Sequence, residues 1–484
     1  MDIPFSPWRD RSTAMATTTT TTPPKRNLPH PWGRLPLIGD LLTVKPLKPV
    51  QMSWHDAQAL GKIHERRIVG FPLVVVSGTD MINEINDERN WTKHVGVVFK
   101  KLRPVARDGL FTAYNGEPNW HKAHNILAPS FTGQAMRSYH ATMVGVADEL
   151  LTYWEGRADR WVDVADDMNR FTLEVIARAG FGGYDFESFT RETPHPFVAA
   201  MLRGLHYINF NANLPPFLQK TFGRGAAAQH KRDILAVHSI VDEVIAARKS
   251  SGTVGEHGDL LDRMLTVPDP ETGQRLDDTN IRNQILTFLV AGHETSAGVL
   301  AFALYELARN PGAVAQARAE IDERFPGRDR PTIAFEDVAK LRSVRRIVDE
   351  ALRLWPVAPG YFREAITDVT IGDGYHFKPG EWVFVLTLQA HRDKDAWGED
   401  ADQFNPDRWL RTNLAETDNR RVYKPFGTGL RACIGRQFAY HEIMLALTVI
   451  LHQFDFEHDP AYKLDIAEQI TLKPRGFKLR VTRR

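Results

Sequence analysis

Cysteine is almost absent: one thiol, Cys433, in 484 residues. A lone thiol cannot close an internal disulfide, which excludes a disulfide-stapled secreted scaffold and favours a reducing, cytoplasmic compartment. Net charge is equally scant, with 61 Lys and Arg against 60 Asp and Glu for a formal +1. That balance removes any global attraction to nucleic acid and leaves only local basic patches. Gly (34) and Pro (29) are too few for a collagen-like or low-complexity chain. Residues 1–24, MDIPFSPWRDRSTAMATTTTTTPP, contain no apolar run long enough for a bilayer span and no signal-peptide core. No membrane anchor is expected there, and residues 1–27 read as a disordered leader.

What is present is a chain with 43% hydrophobic and 10% aromatic residues, enough for a large core. No linker or internal repeat interrupts it, so residues 28–484 are expected to form a single domain. Helical periodicity covers roughly 134–155, 165–180, 228–248, 279–309, 336–354 and 437–452. Strand patterns are few and local: RIVGFPLVVVS over 67–77, and 369–386, whose Gly-Asp-Gly and Pro-Gly turns suggest two short hairpins. The expected class is mainly α with small β-sheets (α+β), not an alternating parallel-sheet fold.

The lone cysteine lies in KPFGTGLRACIGRQFAYHEIMLAL, where a glycine-rich loop runs into an apolar helix. Backbone N–H groups and the positive dipole end at the helix start favour a thiolate, as do Arg431 and Arg436. Gly427-x-Gly429-x-x-Ala432 also matches a relaxed dinucleotide fingerprint, but the preceding Lys-Pro-Phe is too short for the buried strand that motif requires. A thiolate so placed suits a nucleophile, a zinc ligand or a heme ligand. Zinc would call for further closely spaced ligands, and no other cysteine exists. With 18 histidines available, spacing alone leaves a Cys–His nucleophile open.

The whole segment, Phe426-x-x-Gly429-x-Arg431-x-Cys433-x-Gly435, resembles the heme-binding signature of the cytochrome P-450 superfamily at every fixed position. The resemblance implies heme b held between an oxygen-groove helix and the cysteine loop with its following helix. It makes Cys433 the axial ligand of the iron, a thiolate that favours O–O cleavage, with Phe426 beside the sulfur and Arg431 at a propionate. Three further segments match in chain order. Glu350-Ala-Leu-Arg353 resembles the ExxR element, with Arg408 of FNPDRW completing a structural ion network. Ala291-Gly292-His293-Glu294-Thr295 interrupts an apolar helix and resembles the oxygen groove, in which Thr295 organises proton delivery and Glu294 is the acidic relay. Gly292 and Glu294 are both costly in mid-helix, and a local opening of that helix would give them a purpose. Trp120 and His124, spaced i,i+4, resemble the WxxxR helix with His in place of Arg, and are expected with Lys93 to contact the heme.

Over about 55–480 the chain is most similar to the heme domain of bacterial self-sufficient fatty-acid hydroxylases, as in AHNILAPSF (123–131) and ITLKPRGF (470–477). Two departures matter. The chain stops at Arg484 with no reductase, so electrons are expected, through NAD(P)H, from a separate or removed partner. Phe71 and Val75 also stand where that group anchors a fatty-acid carboxylate with Arg and Tyr. The aligned pocket, Phe71, Val98, Leu102, Phe111, Val290, Ala291, Ala358 and Ile470, suits an apolar or aromatic small molecule. A ferredoxin, flavodoxin or flavin reductase would dock near Arg420, Arg421, Lys424 and Arg436. The resemblance implies a monooxygenase that inserts one atom of dioxygen into a C–H bond. The alternative is a peroxide-driven peroxygenase, a group that typically lacks the Glu–Thr pair.

Overall fold

The computed structural model describes residues 27–212, 224–411 and 422–484. The expected leader, apart from Asn27, and both Arg420 and Arg421 lie outside the described residues. Helices dominate and the strands fall into small local sheets, as the sequence predicts.

The long helix Asp278–Arg309 is the axis of the core. The Asp277 carboxylate accepts the Asn280 backbone N–H at 2.8 Å and caps its start. It is apolar on nearly every side, the mark of a helix enclosed by protein. Among the described residues it alone is long and apolar enough to cross a membrane, but 83% of that stretch is buried inside the molecule. Two glycines set how closely its neighbours approach. A Cβ on Gly292 would stand 3.3 Å from Ile176 Cγ1 of the helix Val164–Gly180. One on Gly298 would come within 2.9 Å of the Leu472 carbonyl oxygen and of Val357 Cγ1. The cost of glycine in mid-helix is therefore offset by close packing.

The expected helices appear at Met136–Glu155, Val164–Gly180, Arg224–Ser250, Asp278–Arg309 and Arg436–Gln453. The pattern over 336–354 is broken in two, Phe335–Val338 and Arg342–Leu354. The second piece has its own start because Glu320, on the helix Pro311–Arg324, accepts the Arg342 and Ser343 backbone N–H groups at 2.9 and 2.8 Å. A cap supplied from a separate helix leaves no local signature in the sequence.

The hairpin of Ile63–Ile68 and Phe71–Val76 forms as expected. Of the two hairpins expected over 369–386, only the first forms, pairing Val369–Ile371 with Tyr375–Phe377. Trp382–Val385 instead lies parallel to Phe71–Val76 and antiparallel to Tyr361–Ala365 in a five-stranded sheet. The reason is burial on both faces. Val383 and Val385 enter one hydrophobic cluster, while Phe384 packs into the main core. A two-stranded hairpin cannot cover both faces.

Candidate active site

The loop before the helix Arg436–Gln453 is folded tightly on itself. The Cys433 backbone N–H donates to the Phe426 carbonyl at 2.8 Å, and Ala432 N–H to the Gly429 carbonyl at 3.0 Å. Gly427 and Gly429 take φ of +69° and +70°, the left-handed region that glycine adopts without a Cβ penalty. At Gly429 a Cβ would also strike the Glu88 carboxylate, whose Oε1 accepts the Leu430 backbone N–H at 3.0 Å.

Cys433 is the only cysteine and its side chain is accessible. Desolvation pushes its thiol up from the ordinary value, opposed by the Gly435 backbone N–H and the charge of Arg436. The Gly435 N–H and Arg436 thus act in the direction the sequence suggests, against desolvation. A coordinated metal deprotonates such a thiol outright, so this donor suits a metal ligand better than a free nucleophile.

Two cations stand close by. Lys93 Nζ donates to the Phe111 carbonyl at 2.6 Å, and Arg431 to the Ala113 carbonyl at 2.8 Å. The Arg431 guanidinium lies 4.3 Å from the centre of the Trp120 ring, on which His124 stacks at 4.9 Å. Among the described residues neither cation has a carboxylate within ion-pair distance. Burial, and then the like charge of Arg431, drive the Lys93 ammonium well below its usual range; burial pulls Arg431 down to about 10. Two half-buried cations with carbonyl partners but no carboxylate suit an anionic ligand. The Trp120 indole N–H is engaged with the Leu110 carbonyl at 3.1 Å. Burial also lowers the His124 pKa.

The helix Asp278–Arg309 passes unbroken through the expected groove, so the anticipated local opening is absent. The Thr295 hydroxyl donates to the Ala291 carbonyl at 2.7 Å, one turn back. Glu294 is buried and its Oε1 has no hydrogen-bond partner. Thr172 ties the neighbouring helix to this turn by donating to the His293 carbonyl at 2.9 Å.

Glu350 and Arg353 are both 0% exposed and joined by two hydrogen bonds, 2.8 and 2.9 Å. Arg408 reaches Glu350 Oε1 at 3.4 Å. Arg353 also donates to the His391 carbonyl at 2.8 Å, and His391 Nε2 accepts the Lys424 backbone N–H at 2.9 Å. The network thus reaches the cysteine loop through His391, a link that sequence reasoning missed. Trp409, which donates to Glu350 at 3.0 Å, was missed as well; its position inside FNPDRW was the available signal.

The expected pocket residues are less of a unit. Leu102 and Val290 are buried, Val98, Phe111, Ala291 and Ile470 half-buried, and Ala358 exposed. Phe111 packs edge-on against Phe99 at 4.6 Å. Phe71 is 53% exposed at a strand end beside Trp382, 5.9 Å between centroids. A small cavity, with room for about one water molecule, lies between Pro196–Ala212, Arg224–Ser250, Val97–Ala106 and Asp278–Arg309; of the expected set, Val290 lines it.

Comparison with known proteins gives a consistent picture. Residues 29–481 match the family described as Cytochrome P450. The chain is 43% identical over 446 residues to a bifunctional cytochrome P450/NADPH–P450 reductase of Bacillus cereus, covering 92% of this chain and 41% of that protein. It is 38% identical over 447 residues to the self-sufficient cytochrome P450 monooxygenase CYP505E3 of Phanerodontia chrysosporium, again covering 92% and 41%. The chain thus spans about two-fifths of the length of these relatives. The crystal structure of a cytochrome P450, CYP102L1, superposes with a TM-score of 0.87 at 46% identity, covering 96% of this chain and 100% of that one.

Proposed function

The chain belongs to the cytochrome P450 family, and we propose on that premise that it is a heme-thiolate monooxygenase. The observation that carries the reading is an accessible Cys433 in a tight loop with two half-buried cations that, among the described residues, lack a carboxylate. That donor set fits heme, which presents a metal to the sulfur and carboxylates to the cations. Cys433 would hold the iron, Phe426 would flank the sulfur, and Arg431 and Lys93, with Trp120 and His124 around them, would meet the propionates. When bound, heme supplies the reductive activation of dioxygen, with one oxygen atom entering a C–H bond and the other leaving as water.

This chain's own residues do the rest. Thr295 offers a hydroxyl whose bond to Ala291 is easily exchanged for one to a ligand, and Glu294 holds a carboxylate oxygen free to accept and release a proton. Glu350, Arg353 and Arg408 brace the loop that carries Cys433. Electrons come from a flavin reductase or ferredoxin-type partner, attracted by Lys424 and Arg436 on the cysteine side. The relatives that carry an NADPH–P450 reductase in their names support such a donor. The substrate is an apolar or aromatic small molecule, since Phe71 and Val75 offer no cation for a carboxylate.

The test is turnover under isotopically heavy dioxygen with NADPH and an added reductase. One heavy oxygen per hydroxylated product is expected. Product formed only when peroxide replaces reductase and NADPH would favour the peroxygenase reading.

A further inference from the structure

Four successive carbonyls, Leu110 to Ala113, each accept a hydrogen bond from a side chain of a different element. The Trp120 indole donates to Leu110 at 3.1 Å, Lys93 to Phe111 at 2.6 Å, Arg103 to Thr112 at 2.8 Å and Arg431 to Ala113 at 2.8 Å. The donors come from the helix Pro118–Leu127, the strand Trp91–Lys93, the helix Val97–Ala106 and the cysteine loop. The start of the segment is pinned to Asp278–Arg309. Asn283 donates to Asp108 at 2.7 Å, Gln284 accepts the Leu110 N–H at 3.0 Å, and a Cβ on Gly109 would strike Thr287. Just before it, Arg107 holds a φ of +38°, which a residue with a Cβ adopts at a cost, and its carbonyl accepts the Thr112 hydroxyl at 2.8 Å.

Lys93, Trp120 and Arg431 are groups that the heme reading already uses; Arg103 is not. Its charge is met inside the protein, since its two terminal nitrogens donate to the two Glu117 oxygens at 3.0 and 2.6 Å. Glu117 also accepts the Tyr114 backbone N–H at 2.8 Å, so the pair grips the chain on both sides of Ala113. A two-point guanidinium–carboxylate pair is strong and directional, which fixes the angle at which Arg103 meets the Thr112 carbonyl. Arg103 also stands i,i+4 from Phe99 on Val97–Ala106. One helix face therefore meets Phe111 ring to ring at 4.6 Å and holds the next carbonyl along the chain.

We propose that Arg103, oriented by Glu117, is a positioning residue for Phe111, setting how far a planar aromatic ligand reaches past that ring toward the heme iron. The inference rests on the heme-thiolate reading, which puts Phe111 in the pocket over the iron, and names what holds it there. Phe111 lies between a start pinned to the oxygen-groove helix and a grip supplied by Arg103. Releasing that grip lets the ring yield to a ligand.

The test titrates the purified ferric holoprotein with imidazole and 4-phenylimidazole, reading the shift of the heme absorption band. Both bind iron through nitrogen, but only the second carries a ring that must pass Phe111. Arg103→Met should tighten 4-phenylimidazole about fivefold relative to imidazole. Glu117→Gln, which keeps the shape of the partner but not its charge, should move the ratio the same way by less. So should Arg103→Lys, whose single ammonium cannot reproduce the two-point pair; these two variants decide the matter if Arg103→Met does not fold. In a Phe111→Ala background there is no ring to position, and Arg103→Met should leave the ratio unchanged. A ratio that stays the same or falls in the Arg103 and Glu117 variants, or that shifts equally without Phe111, overturns the assignment. Amide hydrogen exchange over residues 108–117 gives a readout independent of the iron: it should be faster in Arg103→Met, and unchanged exchange overturns the assignment as well. The carbon-monoxide difference spectrum of the unmodified protein reports on thiolate ligation separately, so a missing thiolate band faults the heme-thiolate reading rather than the role of Arg103.

Discussion

Glu350 and Glu294 are both glutamates on core helices, 0% and 3% exposed, yet their surroundings are opposite. Glu350 accepts from Arg353 twice, from the Asn405 backbone N–H at 3.0 Å, from Arg408 and from the Trp409 indole. Glu294 has one oxygen that accepts nothing. A buried carboxylate saturated with donors is fixed in place and contributes to shape, while an unsaturated one is a standing cost that chemistry can use. Asp167 lies between them, with one hydrogen bond, from the Trp154 indole at 2.9 Å.

The contrast gives a graded set of outcomes. Glu350→Ala strands the Arg353 and Arg408 guanidinium groups and should cost about 3–5 kcal/mol, measured by urea unfolding of the holoprotein. A loss below about 1 kcal/mol would break the comparison at its structural end. Asp167 comes next, and its effect depends on pH. Burial raises its carboxyl to about 7, with the Trp154 bond opposing. Because the folded value exceeds the unfolded one, the stability it confers is present below pH ~4 and is lost as pH rises through about 7. At about 1.4 kcal/mol per pH unit, that interval corresponds to up to about 4 kcal/mol. Asp167→Asn should therefore gain stability over the unmodified protein at pH 8 and match it at pH 4, and equal stability at both would remove Asp167 from the series. Glu294→Gln should leave stability within about 1 kcal/mol while slowing product formation roughly 10²-fold. Full turnover in that variant would place Glu294 with the structural carboxylates. Thr295→Ala should have the smallest effect on folding and instead release peroxide, so the readout is product formed per NADPH consumed.

How much of this was legible in the chain follows the same division. The cysteine loop, the Glu-x-x-Arg pair and the Glu294-Thr295 turn are contiguous segments, and each could be read where it stood. The strand Trp382–Val385 was assigned to the wrong partner because its pairing depends on Tyr361–Ala365 and on two cores meeting across one sheet. The broken helix at Leu341 needed Glu320 from another helix, and the His391 link needed both Arg353 and Lys424 in place. The pocket was the least legible part. Phe71, read as lining, is 53% exposed. Residues that act through neighbours distant in sequence leave no local pattern.

The central claim is that Cys433 is the thiolate that holds the heme. The direct measurement is the carbon-monoxide difference spectrum of the reduced protein beside that of Cys433→His. A thiolate-type band in the unmodified protein that disappears in the variant is the predicted result. The same band in both proteins would contradict it.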